Sequence, residues 1–527
     1  MILIASGAYI ASEFQIELGK LPPAFLPLAN SRLYEHQIKD LRNAFPEEKV
    51  YLSLPKSFSI PSMDIKKLEK LSINIISVDD GLTLGQSITS SIMNAQDDSE
   101  QVRLLHGDTL LGSYSVLENH ISLGKILAEY EYEYELVHSI KDEIDLAWAG
   151  FFSFKSKRAL VDAITSEDGD FVKGVRRYDE DIGLSKIIEK KWFDFGHLIN
   201  YFTAREQFTS QREFNSLESI DGCFLKSGVP HSKIIGEMEW FQNIDSNLKI
   251  YTPKIIKRHA NSNPYYLVEI LPLLPLNEIF VYGQKSSKFW DHCIDLCDEF
   301  LQKCSNVAIP KVDLRNVHEY SNYLFLQKPW SRFKEFCDDE SYQKADCLNI
   351  INGYEVPSIN NIISDCVSRI SKLPPIHGVL HGDLCLSNIL YDSRRRRITV
   401  IDPRGIDHQN HPFIYGDLKY DLAKLSHSFL GLYDYIVANN FTLSHQVRDG
   451  FSIFDLTINF QPDTPLIQEA FKSKNFFNKY SWLDLMPLTV LLFLSMLPLH
   501  SDQPRKQLAF LARGLDLYSE ILREERL

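Results

Sequence analysis

Short apolar runs alternate with longer helical stretches through the first 220 residues: Ile2 to Ala5, Tyr34 to Phe45, Val50 to Leu54, Ile73 to Val78, Gly85 to Asn94 and Val102 to Leu105. That alternation predicts βαβ units around a parallel sheet. Glu129 to Val137 (EYEYEYELV) has a period of two, with tyrosines on one face and carboxylates on the other. It reads as a half-buried strand rather than an acidic binding tract, with the apolar run Trp148 to Phe154 as its partner. From about residue 219 the order changes to strand-like Gly222 to Leu225, a helix over Ser232 to Phe241, strand-like Tyr265 to Ile270, and mostly helices from Lys288 onward. Within the helices one strand-turn-strand island is expected, Asn388 to Tyr391 and Ile398 to Ile401. Arginines 394 to 397 then fall at its tip, as a solvated turn rather than a phosphate site. The fold class expected is α/β: a Rossmann-like domain over 1–218, then a two-lobed α+β domain over 219–527, with a small lobe (219–275) and a helical lobe (276–527).

Composition narrows this little. At about 150 residues per domain, 527 residues suggest roughly three units. Hydrophobic residues at 44% permit large cores. Fifty-six Lys and Arg against seventy Asp and Glu leave a net charge of −14, which argues against a nucleic-acid or anionic-membrane binder that relies on a bulk positive field. The eight cysteines form no CxxC pair and read as reduced, buried thiols. MILIASGAYI lacks a basic n-region, and Glu13 and Glu17 follow closely, unlike a signal peptide. The run LMPLTVLLFLSMLPL (Leu485 to Leu499) contains two prolines and is shorter than the roughly 20 residues a span needs, so a buried helix and no stable membrane insertion are expected. The expected location is cytoplasmic; oligomeric state is left open.

The richest stretch, VLHGDLCLSNILYDSRRRRITVIDPRG (Val379 to Gly405), holds His381, Asp383, Asn388 and Asp402 in the order H-x-D-x-x-x-x-N, hairpin, D. Phosphoryl transfer asks for a carboxylate to orient and deprotonate the attacking hydroxyl, and for oxygen ligands to magnesium. Asp383 suits the first task, Asn388 and Asp402 the second. This stretch resembles the aminoglycoside phosphotransferase and choline kinase group of small-molecule kinases, which share the protein-kinase-like fold. The resemblance implies ATP and Mg²⁺ as cofactors, and a later bracing element matched by Gly416-Asp417 and Asp421-Leu422-Ala423. It also implies a strand lysine and a helix glutamate upstream: Lys226 and Glu237, with Lys233 as a rival lysine. No GxGxxG precedes Lys226. Tyr266 to Ile270, including Glu269, looks like the strand that meets the purine.

The opening strand, its loop and the helix from Tyr34 look like the start of a sugar nucleotidyltransferase. Leu26-Pro27-Leu28 and Leu33-Tyr34-Glu35-His36 match that family's pattern, and Gly7 and Gly85 sit in loops that the resemblance brings to a nucleotide such as CTP. Leu104 to Thr109 resembles the strand-ending Gly-Asp, and Lys191 to Gly196 the later W-x-D-x-G, so Asp108 and Asp194 become candidate Mg²⁺ ligands. The loop is shortened to Ser6-Gly7-Ala8, no arginine follows it, and Pro23 stands where the family has lysine; Lys20 or Arg32 is available to compensate.

Three readings follow. In the first, a bifunctional enzyme phosphorylates a small alcohol or sugar and couples the phosphate to a nucleotide, which the resemblance places in capsule or other surface-polysaccharide synthesis. In the second, only the kinase is active and the first domain binds a nucleotide or phosphosugar. The third is a non-catalytic scaffold. The aromatics Tyr433, Tyr435, Tyr480 and Trp482 are the candidates for a cage around a quaternary amine, although core packing is the commoner reason for each.

Overall fold

The computed structural model describes residues 1–126, 135–138, 145–208, 215–220, 222–261, 263–338 and 347–526. The chain is mixed α/β and divides into two compact units, Met1–Ser210 with Tyr282–Gln284, and Gln211–Val281 with Lys285–Leu527.

In the first unit Ile2–Ala5 is buried at every residue and pairs in parallel with Val50–Pro55 on one side and Val102–His106 on the other. Burial on both faces explains why these strands read as continuous apolar runs instead of alternating ones. Asn74–Val78 extends the parallel set, while Asp145–Phe154 runs antiparallel to Val102–His106 and continues the sheet through His120–Lys125 to Ser185–Ile188. The register sets Ala5 beside both Ser53 and His106. The carboxyl ends of three strands therefore finish level, where open parallel sheets hold their ligands. Helices Leu33–Ala44 and Leu84–Asn94 follow two of these strands, the second begun by a Thr83–Gln86 capping box. Of the EYEYEYELV run, residues 129–134 lie outside the described residues; Leu136–His138 is a strand that pairs antiparallel with Asp145–Phe154.

The second unit opens on a four-stranded antiparallel sheet in the order Asn215–Ile220, Cys223–Gly228, Tyr265–Glu269, Ile255–His259. Helix His231–Asn243 follows, burying Glu237 and Trp240. The remainder is mostly helical. Trp482–Ser495 is buried from Leu485 to Ser495, as the apolar run with its early Pro487 predicts. Among the described residues no helix is long and apolar enough to cross a membrane. All eight cysteines are free, five of them buried.

The expectation of a single strand-turn-strand island is corrected. The hairpin Ile389–Asp392/Arg397–Val400 is present, but a second, four-stranded sheet runs in the order Tyr354–Val356, Leu348–Ile351, Phe451–Ile458, Phe441–Arg448. Its two hairpins turn on Asn352-Gly353 (φ +49° and +82°) and Asp449-Gly450 (φ +51° and +84°). Left-handed values at both central residues define the tight turn that Asn-Gly and Asp-Gly favour.

Candidate functional site

In the second unit, strand Cys223–Gly228 delivers Lys226 and helix His231–Asn243 delivers Glu237, their charged atoms 2.7 Å apart and both buried. Tyr266 donates to the same carboxylate at 2.7 Å. Lys226 Nζ also lies 2.7 Å from Asp402 Oδ1, so one ammonium bridges two acids. Burial opposes the charge on Lys226, but Asp402 and then Glu237 overcome it, and the lysine stays protonated. Asp402 has a left-handed backbone (φ +57°), rare for a residue with a Cβ, and its side chain remains 48% exposed. Burial works against its ionisation, yet Lys226, helped by Lys233, holds its carboxyl below the usual range.

Asp383 stands on the loop after strand His377–Val379. Helix Lys419–Phe429 fastens that loop: the Asp421 carboxylate accepts the backbone N–H groups of His381 and Gly382, each at 2.8 Å. Burial pushes the Asp421 carboxyl up to about 7 even so. The His381 imidazole is driven down to about 4 by burial and is neutral; Nε2 faces the Ile401 carbonyl at 3.0 Å, while Nδ1 accepts from Asp383 N at 3.3 Å. A 3₁₀ turn, Leu386–Asn388, brings the Asn388 amide to the Asp383 carbonyl (2.9 Å) and Oδ2 (3.1 Å). With its NH₂ group spent there, the amide leaves Oδ1 as its oxygen for a cation.

Lys424, one helical turn beyond Asp421, sits 2.8 Å from Asp383 Oδ1 and, against the cost of burial, holds that carboxyl well below the usual range. Sequence reasoning missed Lys424, although the i, i+3 spacing from Asp421 is a signal for it. Asp383 with Asn388, and Asp402 with Lys226 and Glu237, thus form two bonded groups, and the His381 ring joins them through Asp383 N and the Ile401 carbonyl. Glu269 belongs to neither: its carboxylate accepts Lys254 N at 2.7 Å and ties two strands of the sheet together.

In the first unit Asp108 follows strand Val102–His106, and Asp194 ends Trp192–Asp194, a strand paired with Thr109–Leu111. The two carboxylates crowd one spot, since a Cβ at Gly196 would stand 2.7 Å from Asp108 Oδ2 and 3.2 Å from Asp194 Oδ1. Burial, then the Asp194 charge, pushes the Asp108 carboxyl up to about 6. Asp194 Oδ2 also holds His197 Nδ1 at 2.6 Å and Asn200 Nδ2 at 2.7 Å, two residues the sequence reading overlooked at one-turn spacing. The hydrogen bond to Asp194 raises the His197 pKa. Two crowded oxygen acids suit a hard divalent cation. Among the described residues no group of three His, Cys, Asp or Glu converges, so here, and at Asp402 with Asn388, water would complete the coordination sphere.

Gly7 backs onto helix Leu84–Asn94, where a Cβ would strike Ser87 Oγ. A Cβ on Gly85 would lie 2.4 Å from the Gly169 carbonyl, so close packing accounts for that glycine. Arg32 does not compensate for the missing loop cations: it is fully buried, paired with Asp64 at 3.0 Å and bonded to the Phe25 carbonyl at 2.8 Å. The Lys20 ammonium rests 4.1 Å from the Tyr9 ring centroid.

No protein-family model matches the chain, and no curated protein matches it. Similar solved structures include a nucleoside-diphosphate-sugar pyrophosphorylase from Vibrio cholerae RC9, at 13% identity over 39% of this chain and 100% of that one (TM-score 0.32). A choline/ethanolamine kinase family protein from Mesorhizobium loti matches at 11% identity over 61% of this chain and 94% of its own (TM-score 0.34). The inositol-1-phosphate CTP transferase from T. maritima matches at 17% over 40% and 94% (TM-score 0.29).

Proposed function

We propose that residues 219–527 are an ATP- and Mg²⁺-dependent kinase acting on the hydroxyl of a small alcohol or sugar, and that residues 1–218 couple the resulting phosphate to a second nucleotide, such as CTP, with release of pyrophosphate. One observation carries the kinase reading: Asp402 pairs with a lysine that is itself gripped by a buried glutamate, while Asp383 is held by Asn388 on the loop whose His381 ring meets the Ile401 carbonyl next to Asp402. Lys226, oriented by Glu237, meets the α and β phosphates of ATP. Asp383, ionised beside Lys424 and aimed by Asn388, accepts the hydroxyl proton as the alcohol oxygen bonds to the γ phosphorus. The bond from that phosphorus to the β–γ bridging oxygen breaks, and ADP leaves. A depressed pKa suits this task, because a loose phosphoryl transfer needs its nucleophile oriented more than strongly deprotonated. Magnesium, which Asp402 and Asn388 would hold, supplies neutralisation of the phosphate charge. In the first unit Asp108 and Asp194 would hold the same ion against the crowded phosphates of nucleotidyl transfer. A place in surface-polysaccharide assembly rests on the motif resemblance alone.

One observation favours the second reading, in which residues 1–218 only bind: Arg32 is consumed by Asp64, leaving Lys20 as the loop cation still to be accounted for. A phosphorus NMR time course separates the two. The full chain is mixed with Mg²⁺, the four nucleoside triphosphates and pooled alcohols, sugars and their phosphates. ADP with a new monoester, then pyrophosphate with a new diphosphodiester, is the expected result. ADP and monoester alone leave the first unit as a binding module, and unchanged turnover in Asp383→Ala overturns the kinase reading.

A further inference from the structure

Around Asp383, on three separate elements of the second unit, stand more cations than its chemistry needs. Lys424 pairs with Asp383 and is 18% exposed. Arg404 follows Asp402 by two residues; its N–H bonds the His381 carbonyl at 2.7 Å, and its stem packs over Gly382, whose Cβ would lie 2.7 Å from that of Arg404. Among the described residues the Arg404 guanidinium has no hydrogen bond or ion pair. Lys328 is the first residue after a π-helical turn, Tyr323–Gln327, a distortion that recurs at functional sites. Its ammonium meets the Tyr420 hydroxyl at 2.9 Å and, among the described residues, no carboxylate.

The facing groups do not cancel this charge. Asp383 is matched by Lys424, and Asp421 is occupied by two backbone N–H groups. His381 and His427 are held neutral by burial. Asp407 accepts the N–H groups of Gln409 and His411. The hydroxyls of Tyr320, Tyr323 and Tyr420 are the other polar groups close enough to act on Arg404. The field is visible in two of these groups. Burial, reinforced by Arg404 and Lys424, brings Lys328 down to about 8. Tyr420, despite burial, is drawn down to about 8 by Lys328, Lys424 and Arg404. Half-buried cations without counter-charges cost stability unless an anion completes them.

We infer that the alcohol phosphorylated here carries an anionic group, a phosphate or a carboxylate, received by Lys328 and Arg404 beside Lys424. This rests on the kinase reading and deepens it, since a cationic amino alcohol would meet repulsion here. Tyr435, one of the cage candidates, instead donates to the Phe280 carbonyl at 2.8 Å as part of the core.

The test uses the full chain, saturating Mg²⁺ and a non-hydrolysable ATP analogue, with inorganic phosphate as probe and phosphorus NMR line broadening as readout. The expected result is saturable broadening that Lys328→Met and Arg404→Met each weaken about tenfold, the loss of one charge-assisted hydrogen bond. Arg404→Lys restores most of it, and affinity for the analogue moves less than about threefold. Acetate and glycerol 3-phosphate as competitors separate carboxylate from phosphate preference. No saturable broadening in the unaltered protein overturns the inference. So does an equal loss of analogue affinity in the variants, which would give the cluster to the nucleotide. Failure of the analogue to bind at all overturns the kinase reading instead, and the phosphate titration without nucleotide then still decides whether the anion site exists.

Discussion

Each unit holds a pair of acidic side chains near the end of a strand, but the two pairs are balanced in opposite ways. Asp383 and Asp402 each have a lysine at 2.7–2.8 Å and are held below the usual carboxylate range. For Asp108 the strongest charge is that of Asp194, and burial, then that repulsion, lifts it to about 6. The difference teaches what each site lacks. The first is short of positive charge, which a divalent cation would supply; the second is already neutralised and has cations to spare.

The sharpest way to break this contrast is to remove one carboxylate from the second unit. Asp383→Asn is expected to lower alcohol-dependent ADP formation by about 10²–10⁴-fold, the range for a general base, and to leave pyrophosphate release from an added phosphate ester intact. A coupled ADP assay beside a pyrophosphate assay reads both, and joint loss would mean the two sites do not work separately. Lys226→Met leaves Glu237 buried and unpaired, a loss of about 3–5 kcal/mol in a denaturant melt, and Glu237→Gln added to it recovers part.

On the other side of the comparison, Asp194→Asn lowers the Asp108 pKa toward the ordinary carboxylate range, measured by carbon NMR of labelled aspartate in EDTA. The sign for stability follows from the raised pKa. The folded state binds the proton more tightly than the unfolded one, so the metal-free penalty is complete above about 6 and is relieved as pH falls toward the unfolded value. A stability difference between the unaltered protein and Asp108→Asn that stays flat between pH 4 and about 6 would show that the Asp108 carboxyl is not raised. The smallest effect belongs to Arg394, Arg395 and Arg396 at the hairpin tip: replacing all three by serine is expected to shift stability by no more than about 0.5 kcal/mol and nucleotide affinity not at all.

What was legible in the amino-acid sequence was what short spacing decides. Strands Ile2–Ala5 and Val50–Pro55 announce themselves as apolar runs, and Asp383 meets Asn388 because one 3₁₀ turn closes the gap between them. The pairing of Lys226 with Glu237 follows from a strand leading directly into a helix. Lys328, Arg404 and Lys424 were not legible as a group, since their meeting depends on how a helix, a loop and a second helix dock. Arg32 looked available because its partner Asp64 lies on another helix. The second sheet was missed for a different reason: Asn352-Gly353 and Asp449-Gly450 are strong turn signals, overlooked among flanking helices.

Lys226 has one further consequence. Bonded to Glu237 and to Asp402 Oδ1, it keeps one of its three N–H groups, and among the described residues Asp402 keeps Oδ2. On the proposed reading a phosphate would meet that third N–H and a metal ion that second oxygen, one on each side of the same bridge. Whatever loosening of the bridge one of them causes would then favour the other by the same factor.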